Sequence, residues 1–412
     1  MKIVNRWFYA AIGVVALLFA GLVYAWSVLS APIAAEFPAW SKAELSLTFT
    51  LVMTLFCVGC LVGGFLSGRI SPKVYCWTAA ALFLAGFFIA SRTQSLLQLY
   101  IGFGLLCGFA SGLIYNAAMS TVGRWFPDKQ GLISGILLMG FGISSFIAGK
   151  IYQAATPDVT GAWRQSFVVL GIISAVVVAA CGFFMNKPGA DFAPPAPAGA
   201  KRRAVNPVAM EARPLETLKS SAFWLYYVWA ILLSAAGLAI VSQATGMVNE
   251  IGAGVSGSGV ATIVGLISIF NGIGRILLGG TYDRAGRNVT MQIVNGGFIL
   301  TAVVLILALK TGSLALIVAG FILGGLSYGG VTPTNSAFIS SYFGMKNYPV
   351  NFSFVNTNLI IASFGSTIAG ALYDGSQSYL STFFMMIVLA ALGILLSQAI
   401  VWRDRRAAAG KG

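Results

Sequence analysis

Runs of about 20 apolar residues recur along the whole chain, separated by short segments that are polar or rich in glycine. A helix of about 20 residues spans the roughly 30 Å hydrocarbon core of a bilayer, whereas strands of a membrane barrel alternate in polarity over about 10 residues. The pattern therefore predicts an all-α membrane protein with twelve transmembrane helices. The predicted spans lie near residues 7–30, 45–66, 74–92, 96–121, 131–153, 165–186, 222–244, 257–279, 289–310, 312–336, 351–373 and 380–402.

A long polar segment divides the spans into two groups of six. It reads "KPGADFAPPAPAGAKRRAVNPVAMEARPLETLKSS" and is rich in proline, alanine and basic side chains. Such a composition is typical of a flexible linker. We interpret residues 1–186 as an N-terminal six-helix bundle, residues 187–221 as a cytoplasmic linker and residues 222–412 as a C-terminal six-helix bundle.

The two halves show weak sequence similarity to each other. "AGLV" at Ala20 recurs as "AGLA" at Ala236, and "FIAGKIYQ" at Phe146 recurs as "TIAGALYD" at Thr367. The two pairs have nearly the same offset, and an even number of spans per half gives both halves the same topology. This arrangement is typical of transporter folds built from parallel repeats, whose halves rock about a site at the midplane.

Charge is scarce and unevenly placed. Charged residues make up 9% of the 412 residues, against about 25% in soluble domains, so the chain is predicted to be a multi-pass membrane protein. Most of the 25 lysine and arginine residues fall in the segments that share one side with both termini. The positive-inside rule therefore places both termini in the cytoplasm, with the chain in the inner (plasma) membrane of the cell. The same rule explains the net charge of +14 without a nucleic-acid partner.

Five cysteines lie in or beside the apolar spans, and Cys57 and Cys60 have the CxxC spacing of redox or metal sites. That spacing falls in the middle of a span, and the chain contains no histidine. We therefore interpret the cysteines as buried small side chains. We predict no metal and no cofactor.

The loop after the eighth predicted span reads "GGTYDRAGR". It resembles the signature loop of the major facilitator superfamily, and this resemblance implies a major facilitator fold and a gating role for Asp283, Arg284 and Arg287. In that role the carboxylate of Asp283 would contact a helix terminus and lock one state. The alternative is that these charges only anchor the inner face. The first-half counterpart, "GGFLSGRISPK", lacks the acidic residue, so the first half is expected to lack the equivalent lock.

Further motifs resemble one branch of that superfamily. "NRWFY" at Asn5, "GRWFPDKQGLISG" at Gly123, "FNGIGR" at Phe270 and "PTNSAF" at Pro333 are similar to the oxalate/formate exchangers, which are related to the monocarboxylate carriers of animals. The resemblance marks the branch and leaves the substrate open. It implies alternating-access transport of small carboxylates.

One arginine lies in the middle of an apolar run, "ISIFNGIGRILLGG". Arg275 precedes Asp283 by eight residues, which is roughly 12 Å along a helix. An arginine deep in the hydrocarbon zone costs about 2.5–3.5 kcal/mol on insertion scales, and such residues normally face a watery cavity. Every acidic residue falls in a loop or at the end of a span in our interpretation, so we predict a substrate carboxylate as its partner. The alternatives are snorkelling to the headgroups and a structural ion pair.

The resemblance assigns roles to three polar positions. It implies that Arg275 binds the substrate carboxylate, and it places Asn271 where animal monocarboxylate carriers have an aspartate that takes part in proton coupling. It also places Asn358 where the oxalate exchanger has a lysine. A dianion would then face one cation, and an uncompensated charge is costly in a cavity of low dielectric constant. The site therefore favours a monoanion.

Aromatic residues complete the predicted substrate site. The resemblance puts Tyr115 and Tyr328 at aromatic positions of the cavity, and Tyr24 and Trp26 are amphipathic groups within an apolar run. Each of the four has packing between helices as its alternative role. A tyrosine can supply both an apolar wall and a hydroxyl donor.

These observations predict a secondary active transporter of small monocarboxylates, such as lactate, pyruvate, formate or acetate. We expect proton-linked symport, with anion exchange of the oxalate/formate type as the alternative. A carboxylate sensor without transport is less favoured. No enzyme is predicted, because histidine and paired intramembrane carboxylates are absent, and no GxxxxGK[ST] loop points to an ATP-driven pump. The expected partners are the small carboxylate, protons and the lipid bilayer, and the expected state is a monomer.

Overall fold

A computed structural model describes residues 5–40, 42–157, 159–189, 192, 209–252, 255 and 257–409. All regular secondary structure in these ranges is helical, as the apolar pattern predicts. The chain divides into two compact units. The first comprises Met1–Pro127, Ile136–Pro195 and Phe352–Phe354, and the second comprises Asp128–Gly135, Ala196–Asn351 and Val355–Gly412. Residues 193–208 of the predicted linker lie outside the described ranges.

Nine α-helices precede the linker in the part of the chain that the structure describes. They are α1 (Arg6–Ala20), α2 (Trp26–Leu29), α3 (Ala31–Glu36), α4 (Lys42–Leu66), α5 (Pro72–Ser91), α6 (Leu96–Leu99), α7 (Gly108–Gly123), α8 (Gln130–Ala155) and α9 (Trp163–Phe184). A 3-10 turn, Gly21–Ala25, joins α1 to α2, and a π-helical stretch, Tyr100–Cys107, joins α6 to α7.

Eight α-helices follow the linker within residues 209–252, 255 and 257–409. They are α10 (Pro214–Lys219), α11 (Ser221–Ile251), α12 (Gly257–Thr311), α13 (Leu314–Phe343), α14 (Tyr348–Asn356), α15 (Asn358–Ala362), α16 (Phe364–Ser376) and α17 (Leu380–Ala409).

The helices account for twelve spans. Ten stretches within the described residues are long and apolar enough to cross a membrane, and a shorter apolar stretch covers Gln130–Ser144 in the 26-residue helix α8. One of the ten, Thr262–Thr311, has 50 residues, which is too long for a single crossing. Gly286 interrupts it with φ 82°, a left-handed conformation that glycine adopts readily. The stretch therefore supplies two spans, and the fold has the twelve that were predicted.

Each unit packs around buried aromatic side chains. In the first unit, Phe87 contacts Phe103 and Phe167 edge to face, with ring centroids 5.7 and 5.8 Å apart. In the second unit, the indole nitrogen of Trp229 donates to Oδ1 of Asn295 at 2.9 Å. Large apolar side chains such as Phe65, Val176 and Leu395 remain exposed on the helices. That exposure suits a surface that faces lipid rather than water.

The segment before α10 is docked on the second unit. The backbone nitrogens of Met210 and Ala212 donate to the carbonyl oxygens of Tyr342 and Phe343 at 3.0 and 3.1 Å. The side chain of Asn347 donates to the carbonyl oxygen of Ala212 at 3.0 Å. The end of the predicted linker is thus an ordered extended segment, while the predicted boundaries of the two bundles remain a prediction.

All five cysteines are buried, and none of them forms a disulfide bond. Cys57 and Cys60 lie on α4, and no group of three or more metal-ligating side chains occurs in the part of the chain that the structure describes. The prediction that these cysteines are buried side chains is confirmed.

Candidate substrate site

Arg275 lies on α12 inside an apolar stretch and is half-buried. Its Nε donates a hydrogen bond to Oδ1 of Asn271, one turn earlier, at 2.9 Å. Asn271 is itself 7% exposed. The bond joins the two residues that the sequence singled out on this helix, and it fixes the plane of the guanidinium group. Because Asn271 is neutral, the bond adds no negative charge beside the arginine.

The backbones of α8 and α13 approach α12 closely around Arg275. A side chain at Gly329 on α13 would collide with the carbonyl oxygen of Asn271, and one at Gly135 on α8 would collide with the carbonyl oxygen of Arg275. Small residues permit such contacts between helices. The backbones around the arginine are therefore closely packed.

Tyr328 lies next to Gly329, so the same contact brings it to the Asn271 region of α12. Its ring packs against Gly237 on α11, where a side chain would overlap the ring. The tyrosine is half-buried. Within the second unit, the structure therefore places Tyr328, Asn271 and Arg275 in one neighbourhood.

Asn358 begins α15, directly after the break between α14 and α15. The side chain is fully buried, and its Nδ2 donates to the carbonyl oxygen of Val355 at 2.7 Å. Its Oδ1 has no hydrogen-bond partner among the described residues. The preceding residue, Thr357, shares a hydrogen bond with the hydroxyl of Tyr227 at 2.8 Å. A buried amide with an unused acceptor at a helix break is costly to leave unsatisfied. The predicted contact of Asn358 with substrate remains a prediction.

Tyr24 and Tyr115 belong to an aromatic cluster in the first unit. Both rings contact Phe141 edge to face, with centroids 5.1 and 5.3 Å apart. Tyr115 also contacts Phe56 at 5.0 Å and stacks on Phe352 at 5.7 Å. The three phenylalanines are not predicted from the sequence, because a phenylalanine in an apolar span carries no polar signal. The cluster offers an aromatic wall with two hydroxyl groups.

Trp26 lies apart from that cluster. Its indole nitrogen donates to the carbonyl oxygen of Leu45 at 3.1 Å, and its ring packs on Phe103 with centroids 4.9 Å apart. Trp26 is 5% exposed. These contacts are of the packing kind that was the alternative role, and the predicted contact of Trp26 with substrate remains a prediction.

Asp283 contacts a helix terminus. Its Oδ1 accepts a hydrogen bond from the backbone nitrogen of Gly131 at 3.0 Å, and its Oδ2 accepts one from Leu132 at 2.7 Å. Both amides belong to the first turn of α8, where backbone N–H groups have no partner within the helix. The carboxylate also complements the positive end of the helix dipole.

The two predicted gating arginines differ in their surroundings. Arg287 forms an ion pair with Asp404 on α17 at 3.3 Å and lies over the ring of Tyr342. The hydroxyl of Tyr342 donates to the same carboxylate. Arg284 is exposed. Asp404 is not predicted from the sequence, because a charge near the end of the last span has no local feature that indicates its partner.

The helical spans define a multi-pass membrane protein, and comparison with known proteins gives its class. Residues 10–364 match the family model described as Major Facilitator Superfamily. The chain therefore belongs to the major facilitator superfamily of transporters.

The similar proteins include carriers of carboxylates. The chain is 28% identical over 360 residues to the oxalate:formate antiporter of Oxalobacter formigenes, with 84% of this chain and 80% of that protein covered. It is 30% identical over 128 residues to monocarboxylate transporter 13 of Rattus norvegicus, which covers 31% of this chain and 29% of that protein.

Solved structures of the superfamily share the fold. The Escherichia coli fucose:proton symporter FucP matches with a TM-score of 0.66 at 13% identity, covering 96% of this chain and 99% of that chain. The proton:xylose symporter XylE matches with a TM-score of 0.67 at 13% identity, covering 97% of this chain and 96% of that chain. At this identity the likeness concerns the fold alone.

Proposed function

We propose that the protein is a secondary active transporter of small monocarboxylates, such as lactate, pyruvate, formate or acetate, that works by alternating access. The hydrogen bond from Arg275 to Asn271 at 2.9 Å carries the proposal. It fixes the guanidinium plane inside an apolar span by means of a neutral partner. A fixed guanidinium is a planar fork of donors, and that fork matches the two oxygens of a carboxylate.

The relatives support the substrate class. The oxalate:formate antiporter and the monocarboxylate transporter are both named for small carboxylates. The preference for a monoanion rests on Asn358. This residue is neutral, and the resemblance places it where the oxalate exchanger has a lysine. Tyr115, Tyr328 and Tyr24 would supply aromatic walls and hydroxyl donors for the rest of the ligand.

For coupling, we propose symport in which the substrate carries the proton. The chain has no histidine, and its carboxylates lie outside the apolar runs or at their ends. The carboxyl proton would stay on the substrate during the crossing, and an arginine without substrate would hold the carrier back from returning.

Anion exchange is the second candidate. It needs no titrating side chain, and the relative that covers 84% of this chain is an antiporter. In exchange, the arginine would always cross with one anion or another. The two modes therefore predict different responses to a pH gradient and to anions on the far side.

The test is uptake of labelled lactate into proteoliposomes that contain the purified protein. Symport predicts that an inwardly directed proton gradient accelerates uptake into empty vesicles by about tenfold. Exchange predicts slow uptake into empty vesicles and fast uptake into vesicles loaded with formate, whatever the gradient. Binding of lactate without uptake in either condition would support the sensor and contradict transport.

We also propose that the contact of Asp283 with the first turn of α8 holds one state of the transport cycle. Charged hydrogen bonds contribute about 1.5–3 kcal/mol each, which is enough to shift a two-state equilibrium strongly.

The positive-inside distribution supports a plasma-membrane location with both termini in the cytoplasm. An impermeant thiol reagent tests this topology with a cysteine introduced at Ala200, which lies outside the described residues. Labelling in intact cells would contradict it.

A further inference from the structure

One end of the first unit gathers basic side chains from three separate segments. Arg69 lies in the turn between α4 and α5, Lys73 in the first turn of α5, and Arg124 directly after α7. Lys187 lies beyond the end of α9, and its Nζ donates to the carbonyl oxygen of Ser67 at 3.1 Å. That bond brings the residues after α9 to the turn between α4 and α5.

A second contact brings Arg124 to the same place. The indole nitrogen of Trp125 donates to the carbonyl oxygen of Asn186 at 2.8 Å. Arg124 precedes Trp125, and Lys187 follows Asn186, so the bond places the two cations side by side. Burial and then the proximity of Arg124 lower the pKa of Lys187. Two neighbouring cations repel each other, and an anion between them would remove that cost.

The described carboxylates of this unit lie at its other end. Glu36 pairs with Arg164 in the first turn of α9 at 2.6 Å, and Lys187 lies past the last turn of the same helix. Glu44 lies in the first turn of α4, whereas Arg69 follows its last turn. Helices of 22 and 25 residues separate these ends by more than about 30 Å at 1.5 Å per residue. Asp128 follows Arg124 by four positions and is grouped with the second unit. No described carboxylate grouped with the first unit lies at this end.

The second unit has an acidic residue in the loop that corresponds to the turn between α4 and α5. Its corresponding loop carries Asp283, which accepts hydrogen bonds from two backbone amides. The loop of the first unit, "GGFLSGRISPK", has Ser67 and Gly68 in the acidic region. Among the described residues, this loop of the first unit has no carboxylate that corresponds to Asp283.

Exposed aromatic side chains lie directly beside the cations. Trp77 lies one turn after Lys73 on α5, and Phe183 lies in the last turn of α9 before Lys187. The two rings meet edge to face with centroids 5.3 Å apart, and they are 42% and 59% exposed. Tryptophan side chains on a surface that faces lipid collect at the level of the headgroups. Cations next to them lie at the depth of the lipid phosphates.

We propose that this cluster is a binding site for an anionic phospholipid. The phosphate binds between Arg124, Lys187 and Lys73, and the acyl chain lies along Trp77 and Phe183. Anionic lipids are attracted to basic segments at the cytoplasmic face, which is where the sequence predicts this end of the unit. The proposal does not depend on which substrate is transported.

The experiment measures the thermal unfolding midpoint of the purified protein in detergent, with added phosphatidylglycerol, phosphatidylcholine or inorganic phosphate. We expect phosphatidylglycerol to raise the midpoint of the wild type by several degrees and phosphatidylcholine to leave it nearly unchanged. The Lys73→Gln/Lys187→Gln double variant should lose more than half of that rise. Lys219→Gln, which removes an exposed lysine of α10 in the second unit, should keep it.

Three results would overturn the proposal. The first is a full rise in the double variant, and the second is an equal rise with phosphatidylcholine. The third is an equal rise with inorganic phosphate at the same concentration, which would indicate a site for a soluble anion. If the double variant unfolds during purification, photo-crosslinking of wild-type protein with a phosphatidylglycerol probe decides the matter. Crosslinks should map to the start of α5 and to residues 183–187, and their absence there contradicts the site.

Discussion

Arg275 and Asn271 are joined across one turn of α12 by a hydrogen bond of 2.9 Å from Nε to Oδ1. Through this bond, the orientation of the charged guanidinium group depends on the position of the neutral amide. This dependence explains why the arginine and its neighbour should be tested together, because a change at either residue alters the direction in which the guanidinium points.

The first prediction concerns Arg275→Lys. A lysine keeps the charge, but it has neither the planar fork nor the Nε that donates to Asn271. We expect carboxylate uptake to fall at least tenfold in proteoliposomes at matched protein density. The control is Arg405→Lys, which changes an exposed arginine of α17. Uptake near the wild-type rate in Arg275→Lys would contradict bidentate binding by this residue.

The second prediction concerns Asn271→Asp, which puts a carboxylate where the arginine now donates to an amide. The new ion pair competes with substrate, so uptake should fall at neutral pH. It should recover as the pH is lowered, because protonation of the aspartate restores a neutral partner. The measurement is the pH profile of uptake, with Asn288→Asp as the control on the exposed part of α12. A profile identical to that of the wild type would show that Asn271 does not position the guanidinium during transport.

The third prediction concerns Asp283→Asn. The amide keeps one acceptor oxygen for the two backbone N–H groups at the start of α8, and it loses the charge that strengthens the bonds. We expect faster hydrogen exchange at the backbone amides of Gly131 and Leu132, measured by mass spectrometry on peptides from the first turn of α8. Asp374→Asn removes an exposed carboxylate of α16 and serves as the control. Unchanged exchange would mean that the charge of Asp283 contributes little to this contact.

The fourth prediction concerns Asn358→Lys. If Asn358 faces the ligand, a lysine would pair with a second carboxylate and raise competition by oxalate relative to lactate by about 10-fold, corresponding to roughly 1.4 kcal/mol. Because the side chain is fully buried, the lysine should also lower thermal stability.

The matched control for that variant is Gln377→Lys, at an exposed position after α16. A wild-type protein that already prefers oxalate would refute the argument from a single cation. An unmoved preference in a folded Asn358→Lys variant would show that the side chain does not contact the ligand.

The fifth prediction concerns the tie between Glu36 and Arg164. Burial alone would raise the pKa of Glu36, but hydrogen bonds from Arg164 and Trp163 lower it below its ordinary value of 4.5. A carboxyl whose folded pKa is lowered stabilises the fold above its unfolded pKa and loses that contribution as the pH falls through the folded pKa. At pH values below about 4.5, the thermal unfolding midpoint of the wild type should therefore fall more steeply with decreasing pH than that of Glu36→Gln. Glu44→Gln, at an exposed glutamate of α4, should follow the wild type.

The apolar pattern was sufficient to predict the twelve spans, because span length is dictated by bilayer thickness and is readable in one dimension. Asp283 was predicted to contact a helix terminus from its place in a loop motif. The partner itself, Gly131, lies 152 residues away, and no local pattern encodes a contact of that range. The same reason explains why Asp404 was missed as the partner of Arg287.

In the candidate site, the contacts of single side chains are likewise not readable from the sequence. Tyr24, Tyr115 and Trp26 all look alike in sequence, as amphipathic groups in apolar runs. Packing separates them, because the indole of Trp26 donates to Leu45 while the two tyrosines share contacts with Phe141. Helix rotation decides such differences, and a nearly uniform apolar run carries little information about rotation.

The ordered segment before α10 bears on how the chain can be cut into two co-expressed fragments. Met210 and Ala212 hydrogen-bond to the end of α13, so these residues belong physically to the second half, although their composition resembles a linker. A break introduced upstream of Ala209 leaves the segment on the fragment that it supports. A break at Ser220 would leave this segment on the first fragment, so the second fragment would lose the extended segment that bonds to the end of α13. Complementation of split halves should therefore be more efficient with the earlier break.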